Sequence, residues 1–225
     1  MKISKKRHLE ITIESIPKHF NPKVKWEQYS TSAKIAADLV WNANSLGDIF
    51  NKTILDLGCG TGVFTLSPLM IGAKIAVGID IDKEAITTAE NTAKNMKIAN
   101  SHFFPYDVYD IKDITKDVLL KNNLVIGCDL KFDTVFTNPP FGSQYQSKKG
   151  ADRIFMELAI KSADVSYSFH MAETRDFITD FYENLGGKIT HEFFYNFPLN
   201  HNYDFHTKES KSIEVIVLRV ENMGF

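Results

Sequence analysis

Short apolar runs alternate with amphipathic stretches along almost the whole chain, and this alternation restricts the fold more than any other feature. The apolar runs are "KTILDL" (52–57), "KIAVGID" (74–80), "SHFFPY" (101–106), "FDTVFT" (132–137), "DVSYSFH" (164–170), "KITHEFFYNF" (188–197) and "SIEVIVLRV" (212–220). Seven strands are predicted. Between them the helical period recurs in "SAKIAADLVWNAN", behind Ser30 or Thr31 as a cap, from Gly62 to about Ile71, and in "KEAITTAENTAKNMK", "ADRIFMELAIKSA" and "ETRDFITDFYENLG". Strands separated by helices must run parallel, because the crossover returns the chain to the same end of the sheet. The last two strands follow each other with no helix between them, so one of the pair runs antiparallel to its neighbours. The expectation is a single α/β domain over residues 1–225, with a seven-stranded, mostly parallel sheet and helices on both faces. A chain of 225 residues can bury roughly 70% of its unfolded surface, enough for one full core.

Two places resist this pattern. Pro68 falls inside the helix that should follow Gly62, where it removes an amide donor. The stretch from Lys112 to Lys131 is long for a connection, and "NNLVIGCDL" within it reads as an extra strand or a flap. Cys59 and Cys128 are the only cysteines, so neither a disulfide framework nor a zinc-type site is indicated. No apolar run is long enough to cross a bilayer and no secretory signal order opens the chain, which makes the expected location the cytoplasm. Net charge is -2, yet residues 1–25 carry a net +5 through Lys2, Lys5, Lys6, Arg7, Lys18, Lys23 and Lys25. This basic arm, packed on or near the domain, could approach a polyanion or simply be solvated.

The chemistry gathers at strand ends. After the first strand comes "DLGCGTG", in which Gly58, Gly60 and Gly62 let the backbone pass close to a ligand and point a helix N-terminus at it. A dinucleotide fingerprint would need a glycine where Val63 stands, so the loop suits a nucleoside better than a pyrophosphate. Asp80 ends the second strand about 20 residues further on, where an acid accepts from ribose hydroxyls. Asp107 follows the third strand, placed to accept from the amino group of an adenine. Each acid alone reads as an ordinary turn residue, but three successive strand ends carrying this set make a nucleoside site the better explanation. Asp82 is expected to cap the next helix, and Asp110 lies close enough to Asp107 to be mistaken for it.

The fourth strand closes in "TNPPFG", Thr137 to Gly142. Two adjacent prolines exclude a helix or a central strand and leave a stiff loop. With a methyl sulfonium over the glycines and an exocyclic amine as nucleophile, stiffness has a use. The amine lone pair is delocalised into its ring. Two acceptors on its hydrogens, the Asn138 side-chain carbonyl and the Pro139 backbone carbonyl, draw the nitrogen toward tetrahedral geometry and aim the lone pair at the methyl carbon. Pro139 and Pro140 hold that carbonyl before the substrate arrives, and Phe141 offers a ring to a planar group.

At these residues the chain resembles known proteins. "DLGCGTG", "GIDID", "YDV" and "NPPFG" are similar to the motifs of Rossmann-like class I S-adenosylmethionine-dependent amino-methyltransferases. More narrowly, "EQYST", "NPPFGS", "GADRIFM" and "YDFHTKESKSIEV" resemble the methyltransferase-like protein five family, over nearly the whole chain. That resemblance implies S-adenosylmethionine as cofactor and methylation of adenosine N6 in small-subunit ribosomal RNA. It also implies a small zinc-ribbon activator subunit on the edge strand near Phe103. The expected cofactor set is Gln28, Tyr29, Thr31, Asp56, Gly58, Gly60, Gly62, Asp80, Ile81, Asp107, Val108 and Asn138, and the expected catalytic set is Asn138, Pro139, Pro140 and Phe141. His206, Lys208, Lys148 and Lys149 are further candidates for contact with RNA. Two rivals stand beside this reading. A protein glutamine methyltransferase would activate its amide in the same way, though such enzymes more usually carry tyrosine after the prolines. A non-catalytic RNA-binding scaffold would keep the fold without needing Asp80 and Asn138.

Overall fold

The computed structural model describes residues 2–18, 31–126, 131–140, 152–198 and 212–223. Its strands are β1 (Thr53–Leu57), β2 (Ile75–Asp80), β3 (Ser101–Pro105), β4 (Phe132–Thr137), β5 (Ala163–Met171), β6 (Gly187–Pro198) and β7 (Ser212–Asn222). They form one sheet of order β3-β2-β1-β4-β5-β7-β6. The first five strands pair in parallel, and β7 runs antiparallel to both β5 and β6. The reversal foreseen at the chain's end is therefore β7, inserted between β5 and β6.

The helices are α1 (Lys6–Glu14), α2 (Ala33–Ser45), α3 (Val63–Ile71), α4 (Lys83–Asn95), α5 (Arg153–Ser162) and α6 (Arg175–Asn184). Helices α1 to α4 cover one face, where Leu9, Leu39, Leu66 and Ile86 share a core with Ile54, Phe136, Tyr167 and Val217. The opposite face is covered by α5 and α6 and by residues 108–120. Burial on both faces is what a parallel sheet requires.

Several local expectations change. The cap of α2 is Ser32, whose hydroxyl accepts from the Ile35 amide at 3.4 Å, and not Ser30 or Thr31; the helix begins at Ala33, so only Ser32 stands one residue before it. Asp82 caps α4 as expected. The basic arm contains a helix. In α1, Leu9 and Ile13 stand four apart and are buried, and Lys6 pairs with Asp38 of α2. Its β-branched Ile and Thr residues and the cations in its first turn, at the positive end of the helix dipole, make it a weak helix alone, so packing decides the outcome.

Helix α3 runs through Pro68. The ring removes the amide that would serve the Phe64 carbonyl, a cost of about 3 kcal/mol for an interior proline. Burial outweighs it, because Phe64, Leu66, Met70 and Ile71 are enclosed on nearly all sides and the helix closes cleanly at Gly72 (φ 114°). Residues 112–126 form no strand, and residues 127–130 of the segment read as a strand or flap lie outside the described residues; a wide helical turn over Thr115–Leu120 packs against the sheet. Ile111, Ile114 and Val118 follow a helical period and are buried against Leu55 and Val77, so the stretch serves as the crossover between β3 and β4.

Candidate functional site

Strands β1, β2, β3 and β4 all end on the same edge, with Leu57 beside Ile79 and Thr137, and Asp80 beside Pro105. Gly58, Gly60 and Gly62 all adopt the left-handed region, at φ 74°, 52° and 88°. The Gly58 and Cys59 amides donate to the Ile79 carbonyl at 2.8 and 3.0 Å, so the loop folds back over the end of β2. A Cβ on Gly62 would stand 3.1 Å from both Ala89 Cβ and the Phe103 ring. The turn is thus closed to larger residues by conformation and by space together.

Three carboxylates build this edge, each differently. Asp80, nearly buried, accepts from the Gly60 amide at 2.7 Å through Oδ2 and from the Asp82 amide at 2.8 Å through Oδ1. Asp107 accepts from the Tyr109 amide at 3.0 Å and so caps the short turn Val108–Asp110. Asp56 lies beneath the loop and accepts from the Thr65 hydroxyl at 2.7 Å, joining β1 to the first turn of α3. Burial pushes the Asp56 carboxyl up to about 7, against the Thr65 hydrogen bond, with the Asp80 charge adding to the rise. Thr65 was not read from the sequence; a hydroxyl on the first turn of α3, facing back toward its own strand, was the available signal.

Asn138 leaves the end of β4 half-buried, and its Nδ2 donates to Thr31 Oγ1 at 3.1 Å. This bond brings the residues before α2 to the tip of β4, 107 positions away in sequence. Thr137 Oγ1 donates to the Leu57 carbonyl at 3.1 Å and fixes the end of β4 against β1. Pro139 is buried and Pro140 half-buried. Ile81 is 40% exposed just past Asp80, Tyr109 is 51% exposed just past Asp107, and Val108 between them is buried. Thr31, Asp56, Gly58, Gly60, Gly62, Asp80, Ile81, Asp107, Val108, Asn138, Pro139 and Pro140 therefore all fall on this edge or directly beneath it. Gln28, Tyr29, Phe141, Lys148, Lys149, His206 and Lys208 lie outside the described residues. The set fits an adenosine-type group: backbone amides over a helix N-terminus, carboxylate acceptors at two strand ends, and apolar surface between them.

The edge strand buries one of its two phenylalanines. β3 is indeed at the edge, but Phe103 is only 7% exposed, because it points inward to fill the space left by Gly62 and Gly78. What the edge presents is a groove of about 400 Å3 between α4 and β3, lined in part by Glu90, Lys94, Ile98, His102 and Phe104. The arm's cations are partly engaged. Lys6 meets Asp38, Arg7 meets Glu10 at 3.1 Å, Lys18 meets Glu14 at 3.8 Å, and Lys2 lies 3.7 Å over the Phe50 ring. No helix among the described residues is long and apolar enough to cross a membrane.

Comparison with known proteins agrees with this geometry. A family model described as a methyltransferase domain matches residues 50–178. The protein MJ0284 of Methanocaldococcus jannaschii is 40% identical over 98% of this chain and 96% of its own length. The Drosophila melanogaster rRNA N(6)-adenosine-methyltransferase Mettl5 is 33% identical over 96% of each chain. Among solved structures, PH1948 from Pyrococcus horikoshii superposes with a TM-score of 0.80 at 34% identity, covering 97% of this chain and 98% of that one. Since a glycine loop, two strand-end carboxylates and an Asn-Pro-Pro turn share one sheet edge, and the relatives match nearly the whole of this chain and of their own length, this chain belongs to the METTL5 family of S-adenosylmethionine-dependent methyltransferases.

Proposed function

We propose that this protein methylates the N6 amine of an unpaired adenosine in small-subunit ribosomal RNA. The observation that carries the reading is Asn138, held by Thr31 at the tip of β4 on the edge that bears the glycine loop. Because Nδ2 is engaged by Thr31, the side-chain carbonyl is the group of Asn138 that remains to accept from a substrate donor. Asn138 Oδ1 and the Pro139 carbonyl accept the two N6 hydrogens, and the amine gains tetrahedral character only as the bond to carbon forms. These contacts therefore strengthen in the transition state. S-adenosylmethionine supplies an electrophilic methyl group. Asp80 accepts from its ribose hydroxyls and Asp107 from its adenine amino group. The name of the Drosophila relative, an rRNA N(6)-adenosine-methyltransferase, supports adenosine N6 as the acceptor.

A duplex adenine hides its amine, so the target must be unpaired or flipped out, at a cost of a few kcal/mol. Stacking on Phe141 offsets part of that. An activator subunit of zinc-ribbon type is proposed to cover the β3 edge, where Phe104 and His102 border the groove and the strand presents unpaired backbone groups.

The test is direct. Protein incubated with radiolabelled methyl donor and ribosomal subunits lacking the modification should label one adenosine of small-subunit RNA, located by digestion and mapping. Label found on a glutamine of a translation factor, or on large-subunit RNA alone, would overturn the assignment.

A further inference from the structure

The amino ends of β1, β2 and β3 meet at the edge opposite the candidate site, with Thr53 beside Ile75 and Ala76 beside Ser101. A cation precedes each of them: Lys52 before β1, Lys74 before β2 and Lys97 in the turn before β3. Hydrogen bonds draw these turns together. The Lys74 amide donates to the Lys52 carbonyl at 2.8 Å, and the Lys74 carbonyl accepts from Asn100 Nδ2 at 3.1 Å. The N-terminal arm adds Lys2. The Ile3 amide, bonded to the Met70 carbonyl, anchors the arm here, and the Lys2 ammonium stands 3.7 Å over the Phe50 ring. Both side chains lie across the turn at Gly72 (φ 114°), where a Cβ would stand 2.8 Å from the Phe50 ring and 3.2 Å from Lys2 Cε.

Charge is distributed unevenly along this edge. Lys52 is met by Asp133 at 2.9 Å, and Lys131, before β4, by Asp164 at 2.6 Å. Toward β2 and β3 the balance changes: among the described residues no carboxylate forms an ion pair with Lys2, Lys74 or Lys97, and all three are exposed. Phe50 beside them is 56% exposed. The α4 dipole is already met by Lys94 in the last turn of that helix. Lys97 stands just past it in the left-handed region (φ 54°), a position that glycine or asparagine takes at less cost. The charge is kept there against the backbone preference.

We propose that this edge is a second RNA contact, at which Lys2, Lys74 and Lys97 meet backbone phosphates of the same RNA whose adenosine occupies the methyl-transfer edge. This rests on the reading of RNA as substrate given above. Lysine ammoniums are point charges and suit phosphates, which they hold without planar geometry. The Phe50 ring keeps the Lys2 ammonium at the surface beside the other two. Strands β1 and β2 are five and six residues long, so about 17–20 Å separates the two edges. A structured RNA bridges that distance. Contacts of this kind carry no base information; they add affinity and orientation, and the chemical step at Asn138 does not depend on them.

The experiment uses the full chain and small-subunit ribosomal RNA lacking the modification. Affinity is measured across a salt series, with KM and kcat for the RNA and donor affinity in parallel. Lys74→Gln combined with Lys97→Asn removes two charges and leaves residue 97 at ease in its left-handed conformation. The slope of log affinity against log salt should become shallower by roughly 1.5. KM for the RNA should rise about threefold or more at low salt, while kcat and donor affinity stay within about twofold. Lys74→Arg combined with Lys97→Arg should keep the wild-type slope. A wild type that methylates RNA adenosine, with slope and KM unmoved by the neutral pair, overturns the inference and leaves the functional reading standing. A slope lost equally in the arginine pair overturns it too, since charge would not be the cause. A wild type that labels no RNA adenosine overturns the functional reading and this inference with it.

Discussion

The Gly60 amide donates to Asp80 Oδ2 at 2.7 Å, so the carboxylate proposed to meet the cofactor ribose also holds the loop that would lie beneath it. One residue thus couples loop shape to ligand recognition. Asp80→Ala removes the acceptor for the Gly60 and Asp82 amides as well as that for the ribose hydroxyls. A hydrogen bond to a charged group is worth roughly 1.5–3 kcal/mol. Calorimetry should show donor affinity weakened by about tenfold or more, with a lower melting temperature. Asp80→Asn keeps one acceptor oxygen and should fall between. Unchanged affinity in the alanine variant would remove Asp80 from the binding site.

Asn138 should behave in the opposite way. Its carbonyl acts as the amine becomes tetrahedral, so Asn138→Ala is expected to lower turnover by roughly a hundredfold while leaving donor affinity nearly intact. Thr31→Val tests the geometry behind this. It removes the oxygen that accepts from Asn138 Nδ2 at 3.1 Å and should give a smaller loss of turnover through freer rotation of the amide. Should both variants turn over like the wild type, the Asn-Pro-Pro turn is structural.

How far the sequence carries can be judged from particular residues. The seven strands were legible because buried parallel strands write themselves as continuous apolar runs, whereas the edge position of β3 followed from the strand order usual for the fold the chain resembles. Asp82 was legible as a cap because its role is local. Helix α1 was not, since Leu9 and Ile13 are a weak helical signal until α2 is there to bury them. The face that Phe103 takes was not legible, because edge position says nothing of which way a side chain points. Gly62 and Gly78, distant in sequence, make the space it fills. The Thr65–Asp56 and Thr31–Asn138 pairs share that character: each residue is unremarkable alone, and only the fold makes the pair.

Asp56 carries a pH prediction. Its folded carboxyl is raised to about 7 by burial, above the value of an unfolded aspartate. A raised folded value means the native state binds more protons than the unfolded one between those limits. The stabilising contribution is full below about pH 4 and is lost as pH rises toward 7. Asp56→Asn stays uncharged and can still pair with Thr65. The melting temperature of Asp56→Asn minus that of the wild type should therefore grow more positive between pH 5 and pH 8, read by calorimetry in matched buffers. A difference that is flat across that range would mean Asp56 titrates normally.

The basic arm needs a gentler test than truncation. Removing residues 1–7 would also remove the Ile3 amide's bond to the Met70 carbonyl at 2.8 Å and the Lys6–Asp38 pair, both of which hold α1 to the domain. A fall in RNA methylation could then come from lost packing. Lys5 and Arg7 are exposed, and Arg7 meets Glu10 in a surface pair that contributes little stability. Replacing both with glutamine keeps helix propensity and leaves Leu9 and Ile13 buried. If both cations meet phosphate, the slope of log affinity for RNA against log salt should become shallower by roughly 1.5. Donor affinity and melting temperature should not move. A slope unchanged by the double substitution would place RNA on another surface of the protein and leave α1 as a structural helix alone.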